Sequence, residues 1–208
     1  MPTVVAKPSL APEPVALTVD LAGIVDLDDD QLFELCVRNR ELRVERTPEG
    51  ELILMSPAGG KSANLNIKCS TQLAIWTQQD GTGEAFDSSG GFLLPNGAMR
   101  SPDAAWVERS RLKELTPRQR QRFLPLSPTF VLELRSPSDV LAVLQAKMEE
   151  YRANGVRLGW LIDPEEERVH VYRADAEVEI LDRPATVSAD PVLPGFVLDL
   201  QGIWDPGW

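Results

Sequence analysis

The chain has 208 residues, 43% of them hydrophobic and 25% charged, and a formal net charge of -11 at pH 7. This length and composition are typical of one substantial globular domain with a real core. The acidity excludes nucleic-acid binding through overall charge, so a nucleic-acid partner would have to meet a local basic surface. No apolar run reaches the roughly 18–20 residues that span a bilayer, and the two cysteines lack CxxC spacing. We therefore predict a cytoplasmic protein without a membrane partner.

The first half of the chain predicts two helices and a β-hairpin. Residues 1–18 are rich in proline and are expected to form an extended leader, with a single domain over 19–208. Acids at the start of a mixed apolar stretch predict a helix over about 27–39. Alternating apolar residues around a Thr-Pro-Glu-Gly turn predict a hairpin over 41–55. Apolar residues at helical spacing predict a long helix over 61–79.

The second half predicts a mixed sheet. Short strands separated by glycine and proline lead to a basic segment at 109–125 that is helical or looped. Residues 128–136, PTFVLELRS, predict a buried strand, and residues 139–155 predict a helix that ends with Gly155 at its C′ position. Three further strands and an apolar tail follow. Because strands and helices do not alternate strictly, we predict an α+β fold with an α/β-like core and a mixed central sheet.

Two motifs do not support the functions they resemble. GGKS at 59–62 resembles the end of a phosphate-binding loop, but Met55 occupies the position of the required first glycine. The only histidine, His170, has no GxSxG partner, so the sequence does not favour a Ser-His-Asp hydrolase. We expect His170 to be a surface residue.

Two carboxylates indicate a metal site. Asp103 follows Pro102 at the start of a predicted strand, and Glu133 lies in the middle of the apolar strand FVLELR. An acid buried between leucines is costly unless it is paired or holds a metal. Two carboxylates on adjacent strands are hard oxygen ligands that suit Mg²⁺ or Mn²⁺. A structural ion-pair network would also account for them, and the sequence leaves both interpretations open.

Two cations compete for a place beside these acids. Arg135 follows Glu133 by two residues, which puts both side chains on one face of the strand. Arginine remains protonated and cannot act as a general base. Lys147, on the next predicted helix, can reach the same site if that helix packs on the strand. The alternative for Lys147 is a solvated lysine on the helix surface.

A local basic segment could contact phosphates. Between residues 109 and 122, six cations stand against a single acid, Glu114. In so acidic a chain, this concentration indicates a candidate nucleic-acid surface, although a solvated loop and helix would look the same. The candidate residues are Arg109, Arg111, Lys113, Arg118, Arg120 and Arg122.

Several segments, in order, resemble the Uma2 family, a branch of the PD-(D/E)xK nuclease superfamily. The segments are FDSSGGFLLPNGAMRSPDAAWV, FVLELRSPSD, QAKMEEYRANG and RLGWLIDP. Asn66, Trp76 and the tail GFVLDLQGIW also fit, so the resemblance covers roughly residues 25–204. It implies a restriction-endonuclease-like mixed β-sheet flanked by helices, with the two acids on neighbouring strands.

The resemblance also implies roles for individual residues. Asp103 matches the family's first acidic position and Glu133 the second. The superfamily's lysine position, two after the glutamate, is Arg135 in this chain. Lys147 matches a lysine that the following helix supplies in this branch, and Gln145, one helical step away, is expected to help hold water or phosphate.

These observations lead to one main hypothesis, a DNA endonuclease that depends on Mg²⁺ (or Mn²⁺). Asp103 and Glu133 would hold the metal, Lys147 would orient or activate water, and Arg135 would stabilise phosphate or lock Glu133. Cutting both strands of a duplex needs two sites, so a homodimer is expected. The alternatives are a catalytically inactive nucleic-acid-binding module and an interaction protein whose acidity excludes DNA.

Overall fold

A computed structural model describes residues 16–21 and 24–207. The strands are β1 (Ala16–Val19), β2 (Arg43–Arg46), β3 (Leu52–Met55), β4 (Gly83–Asp87), β5 (Phe92–Leu93), β6 (Met99–Arg100), β7 (Ala104–Glu108), β8 (Phe130–Leu134), β9 (Leu158–Asp163), β10 (Arg168–Arg173), β11 (Glu179–Asp182), β12 (Thr186–Ser188) and β13 (Val197–Asp199). The helices are α1 (Asp29–Arg38), α2 (Gly60–Asp80), α3 (Arg109–Glu114), α4 (Pro117–Arg120), α5 (Leu141–Ala153) and α6 (Gln201–Trp204).

The largest sheet is mixed, as predicted. Its strand order is β11-β10-β9-β8-β7-β4, and only β8 and β9 in it pair in parallel. A parallel pair needs a crossover connection, and α5 provides it between β8 and β9. The predicted α+β fold, with helices flanking a mixed sheet, is confirmed.

Alternation along the strands gives this sheet two apolar faces. Leu132 and Trp160 pack toward one side, where the α2 residue Leu65 lies in the same core cluster. Val131 and Leu161 pack toward the other side, with Met148 of α5. Because side chains alternate along a strand, Glu133 of β8 shares the face of Val131 and points toward α5.

Close packing fixes α5 against the sheet. A Cβ atom added at Gly159 of β9 would lie 2.5 Å from Cε of Met148, so the helix side chain fills the space above the glycine. α5 ends before Gly155, which has φ +91°, the left-handed conformation that glycine adopts readily. The predicted helix end at Gly155 is confirmed, and the contact between Met148 and Gly159 lets α5 pack closely on β9.

A second, antiparallel sheet covers the side of the domain near α1. Its order is β1-β3-β2-β6-β5. Leu32 of α1 packs with Val44, Leu52 and Met99 of this sheet. The predicted hairpin is the pair β2 and β3, and the predicted helices over 27–39 and 61–79 correspond to α1 and α2.

The predicted leader of residues 1–18 falls mostly outside the described residues. Its last three residues belong to β1, which pairs with β3 from Ala16 to Val19. In the part of the chain that the structure describes, no helix is both long enough and apolar enough to cross a membrane.

The prediction that His170 lies on the surface is wrong, since His170 is only 3% exposed. His170 lies on the face of β10 opposite Val169 and Val171, as predicted. The same face carries Tyr172, and α5 packs against it. Tyr172, two residues further along β10, packs in one cluster with Met148 of α5. A strand with apolar residues on one face can therefore still have its other face buried by a helix that is distant in sequence.

Candidate active site

A cleft of about 910 Å³ opens between the β2–β3 hairpin and α5. The N-terminal half of α2 and the end of β8 also contribute to its lining. Asp103, Glu133 and Lys147 all line this cleft, so the structure brings together three residues that the sequence places on different elements.

Asp103 is held at the start of β7 by two hydrogen bonds. Asn66 Nδ2 donates to its Oδ1 at 2.6 Å, and the backbone N–H of Leu134 donates to its Oδ2 at 2.9 Å. The register Ala104↔Leu132 places Asp103, just before β7, opposite Glu133 on β8. Burial raises the pKa of Asp103, and the hydrogen bond from Leu134 partly offsets that effect.

Glu133 is 5% exposed and faces α5. Its Oε1 lies 2.8 Å from Lys147 Nζ and accepts a hydrogen bond of 3.0 Å from the hydroxyl of Tyr151. Burial raises the pKa of Glu133 to about 7, Lys147 opposes the shift, and the neighbouring carboxylates of Asp103 and Glu45 add to it. The site therefore holds more negative charge than Lys147 alone neutralises.

Lys147 is a buried cation rather than a surface lysine. Its side chain is 13% exposed, and its Nζ lies 2.8 Å from Glu133 and 2.9 Å from Glu45. Burial lowers the pKa of Lys147, but the two carboxylates outweigh it and hold the pKa above its ordinary value. Lys147 is thus protonated in this arrangement and acts as a hydrogen-bond donor, not as a base.

Glu45 is a site residue that sequence reasoning missed. It lies on β2, is 2% exposed, and accepts from Lys147 at 2.9 Å and from the backbone N–H of Ser101 at 2.9 Å. Arg100 Nη1 donates to its second oxygen at 3.2 Å. Burial raises the pKa of Glu45, but Lys147 and Arg100 reverse this effect and lower it overall. The available signal was weak, because Glu45 lies on the polar face of a hairpin strand, which usually meets solvent.

Two further residues of α5 belong to the same network. Tyr151 is fully buried, and it follows Lys147 by four residues, so both side chains lie on one face of the helix. Glu150 Oε2 accepts from Arg100 Nε at 2.6 Å. The helical spacing of Lys147 and Tyr151 is the signal by which the sequence could have identified Tyr151.

Arg135 and Gln145 do not line the cleft. Arg135 Nη1 lies 2.6 Å from Oδ2 of the fully buried Asp163, and its Nε donates to the carbonyl of Asp139 at 3.3 Å. The register of β8 on β9 explains this pairing, because Leu134 lies opposite Ile162 and the next residues along are Arg135 and Asp163. Among the described residues, no hydrogen bond or ion pair joins Arg135 or Gln145 to Asp103 or Glu133. The roles predicted for Arg135 and Gln145 stay predictions.

The basic segment, residues 109–122, lies outside the cleft lining. Several of its cations are paired with acids on the protein itself. Arg118 and Arg122 both contact Asp30 of α1, at 2.5 and 2.9 Å, and Arg109 contacts Glu84 at 2.9 Å. The nucleic-acid role predicted for Arg109, Arg111, Lys113, Arg118, Arg120 and Arg122 stays a prediction.

The candidate donor set for a divalent cation, as predicted from the sequence, is the pair Asp103 and Glu133. Among the described residues, no group of three or more His, Cys, Asp or Glu side chains forms a ready metal-binding set. Two carboxylates nevertheless fit Mg²⁺, which usually keeps several waters and takes only one or two carboxylates from the protein. Within the described part of the chain, every hydrogen bond and ion pair to Glu133 reaches Oε1. The neighbouring carboxylates of Asp103 and Glu45, which add to the effect of burial in raising the pKa of Glu133, also favour a cation there.

Comparison with known proteins identifies the family. The model of the Uma2 family, described as "Putative restriction endonuclease", matches residues 29–201. One similar solved structure is a protein from Anabaena variabilis described as "a putative nuclease belonging to DUF820". It is 22% identical, with a TM-score of 0.66 over 77% of this chain and 89% of that chain, which shows a shared fold. No curated protein matches the chain. The cleft is the candidate active site of a nuclease-like fold, and the chain belongs to the Uma2 family.

Proposed function

We propose that this chain is an endonuclease that hydrolyses phosphodiester bonds of DNA with the help of Mg²⁺ or Mn²⁺. The observation that carries the proposal is the convergence of Asp103, Glu133 and Lys147 on one cleft, with Lys147 Nζ 2.8 Å from Glu133 Oε1. Family membership supports a hydrolase that acts on nucleic acids. The metal, the DNA substrate and the catalytic activity are parts of the proposal.

The three residues divide between two roles in this proposal. Asp103 and Glu133 hold the metal, which would increase the acidity of water and offset charge on the phosphate. Lys147, kept protonated by its two carboxylates, donates hydrogen bonds to the attacking water or to a phosphate oxygen. Because a protonated lysine cannot accept a proton, Lys147 orients water rather than deprotonating it.

The neighbours of these residues fix their positions. Asn66 holds one oxygen of Asp103, and Ser70 Oγ donates to Asn66 Oδ1 at 3.1 Å, which orients the amide. Tyr151 donates a hydrogen bond to Glu133. Lys147 in turn donates one to Glu45. Positioned groups of this kind lower a barrier because little reorganisation remains when the reaction occurs.

Cleavage of circular DNA tests the proposal. Single-stranded and supercoiled double-stranded circles have no ends, so loss of the circular form reports endonuclease activity. We expect cutting with Mg²⁺ or Mn²⁺, none with a chelator, and a rate at least about 100-fold lower in Glu133→Gln and Asp103→Asn. Glu179→Gln, at an exposed position of β11, is the matched control and should cut like the parent.

Two other results would contradict parts of the proposal. Equal cutting by the parent, Glu133→Gln and Asp103→Asn would remove the site assignment. DNA binding without metal-dependent cutting by any variant would instead favour the inactive nucleic-acid-binding module. If linear product forms directly from supercoiled circles, two sites act together, and sedimentation should then show the homodimer that this activity requires.

A further inference from the structure

Two acidic residues of the cleft, Glu45 and Glu133, are buried in the protein. Glu133 is 5% exposed and Glu45 is 2% exposed, and the side chain of Lys147 is 13% exposed. A scissile phosphate must therefore enter the cleft to reach Glu133 and Lys147. An intact duplex is stiff and carries its phosphates along the outside of a wide helix, whereas an unpaired strand can bend to bring one phosphate into a cleft.

Part of the cleft wall is aliphatic, and polar or charged residues make up most of the rest of the lining. Ile53, Met55 and Pro57 line the hairpin side, and Pro137 and Val143 line the side of α5 and the loop before it. The volume of about 910 Å³ lies in the range of pockets that enclose most of a ligand. Aliphatic walls suit the apolar faces of unpaired bases, whereas a duplex presents charged backbone and polar groove edges.

Few cations are available in the cleft for phosphate groups. Four line it, but Lys147 and Arg100 contact buried carboxylates. The other two are Lys61, whose side chain is 50% exposed and lies 3.8 Å from Glu165, and Arg43, whose guanidinium donates to the carbonyl of Ser88 at 3.3 Å. Two phosphate contacts are far fewer than the roughly 6–10 of a typical duplex-binding protein. In a chain with a net charge of -11, this arrangement disfavours a long, stiff polyanion.

We propose that the substrate of this cleft is an unpaired DNA strand rather than an intact duplex. The inference rests on the proposed nuclease function as far as cutting is concerned. The preference for an unpaired strand, which we call strand selection, can be measured by binding alone. An unpaired strand can lead one phosphate down to Glu133 while its bases contact the aliphatic walls. Lys61 and Arg43 then contact the neighbouring phosphates near the entrance.

A binding experiment tests strand selection without cutting. The probe is an unstructured, fluorescently labelled oligonucleotide of about 20 nucleotides, alone or annealed to its complement, with a chelator present. We expect at least about tenfold tighter binding of the single strand, with log K falling against log salt at a slope of roughly -1.4 for two phosphate contacts. Equal or tighter binding of the duplex, or a slope steeper than about -5, would overturn the inference.

Two substitutions link the preference to the cleft. Lys61→Ala and Arg43→Ala should each weaken single-strand binding several-fold and make the salt slope shallower by roughly 0.7. Arg157→Ala, an exposed arginine away from the cleft lining, is the matched control and should bind like the parent. Undiminished single-strand binding in both cleft variants would overturn the placement of the strand in the cleft.

A cutting experiment separates this inference from the proposed function. The substrates are the single strand, the duplex and a duplex with a central unpaired bubble, each with Mg²⁺ or Mn²⁺. We expect cutting of the single strand and within the bubble at least about ten times faster than cutting of the duplex. Equal cutting of the duplex would overturn strand selection but leave the nuclease function intact. Preferential binding of the single strand with no cutting would contradict the nuclease function and support the inference.

Discussion

The cleft and the basic segment, residues 109–122, both contain ion pairs with short distances but in opposite environments. In the cleft, Lys147 lies 2.8 Å from Glu133, and their side chains are 13% and 6% exposed. At the surface, Arg118 lies 2.5 Å from Asp30, and their side chains are 70% and 55% exposed. Short distances alone therefore do not distinguish a candidate site from a solvated charge pair, whereas burial does.

The difference has an energetic reason. Removing an ion from water costs several kcal/mol, and a buried charge persists only with close partners of opposite charge. Exposed pairs are screened by water and salt and contribute about 0–1 kcal/mol. The dense charge of the basic segment is thus compatible with ordinary surface chemistry. Buried charges such as Glu45, Glu133 and Lys147, which the fold keeps despite their cost, mark a functional cleft more specifically.

The largest expected effect on stability comes from removing the common cation of the cleft. Lys147→Met leaves Glu133 and Glu45 buried without their shared partner, so the free energy of unfolding should fall by roughly 3–5 kcal/mol. Urea denaturation at neutral pH measures this change. The double variant Lys147→Met/Glu133→Gln should recover part of the loss, because Glu133 is then uncharged while Glu45 keeps its contact with Arg100. If the free energy of unfolding fell by less than about 1 kcal/mol, the ion pairs of Lys147 would contribute no more than exposed pairs do.

An intermediate effect is expected at His170, a buried residue with no such partners. Within the described residues, neither ring nitrogen has a hydrogen-bond partner. Burial lowers the pKa of His170, and the nearby acids Asp163 and Glu166 oppose this more than Arg168 reinforces it. Because its pKa is lowered, the folded protein keeps the His170 ring neutral at pH values where the unfolded chain already binds a proton. The free energy of unfolding is therefore unaffected by this group well above the ordinary pKa of 6.5 and decreases as the pH falls below it.

The test is the pH dependence of stability in His170→Leu. Its free energy of unfolding should be higher than that of the parent by about 1 kcal/mol near neutral pH, because an unsatisfied polar ring has been removed. The gap between the two proteins should widen as the pH falls from about 7.5 to 5. Parallel stability curves across this range would contradict a buried neutral histidine.

The smallest effect is expected in the basic segment. Arg118→Ala removes an exposed contact with Asp30, so the free energy of unfolding should change by less than about 1 kcal/mol. The change should shrink further as salt rises toward about 1 M, because screening weakens exposed pairs. If the free energy of unfolding fell by several kcal/mol and salt did not reduce this change, the Arg118–Asp30 pair would behave like the buried pairs of the cleft.

Much of the fold and part of the candidate site could be predicted from local patterns. The strand that carries Glu133 and the helix that carries Lys147 follow from short-range periodicity and a glycine helix end, and the structure confirms both. The convergence of Asp103 with Glu133 on neighbouring strands matches the expectation from the family resemblance. These features are predictable because each depends on residues close together in sequence or on a pattern shared across the family.

Other features depend on contacts between distant segments. Glu45 is separated by 102 residues from Lys147 in sequence, and its polar strand face becomes the inner wall of the cleft only when the hairpin packs near α5. Arg135 directly follows the strand of Glu133, yet its partner Asp163 lies at the end of the neighbouring strand β9. His170 was placed wrongly for the same reason, since no local pattern shows that α5 covers its face.

The sequence by itself determined the family, the main elements, and the three candidate residues Asp103, Glu133 and Lys147. Only the tertiary structure decided which cation contacts the acids, that Glu45 joins them, and that the basic segment lies outside the cleft lining. The physical reason is that periodicity reports which face of an element is apolar, but not which distant element covers the other face. Burial of charge, the property that singles out this cleft, exists only after those elements have packed together.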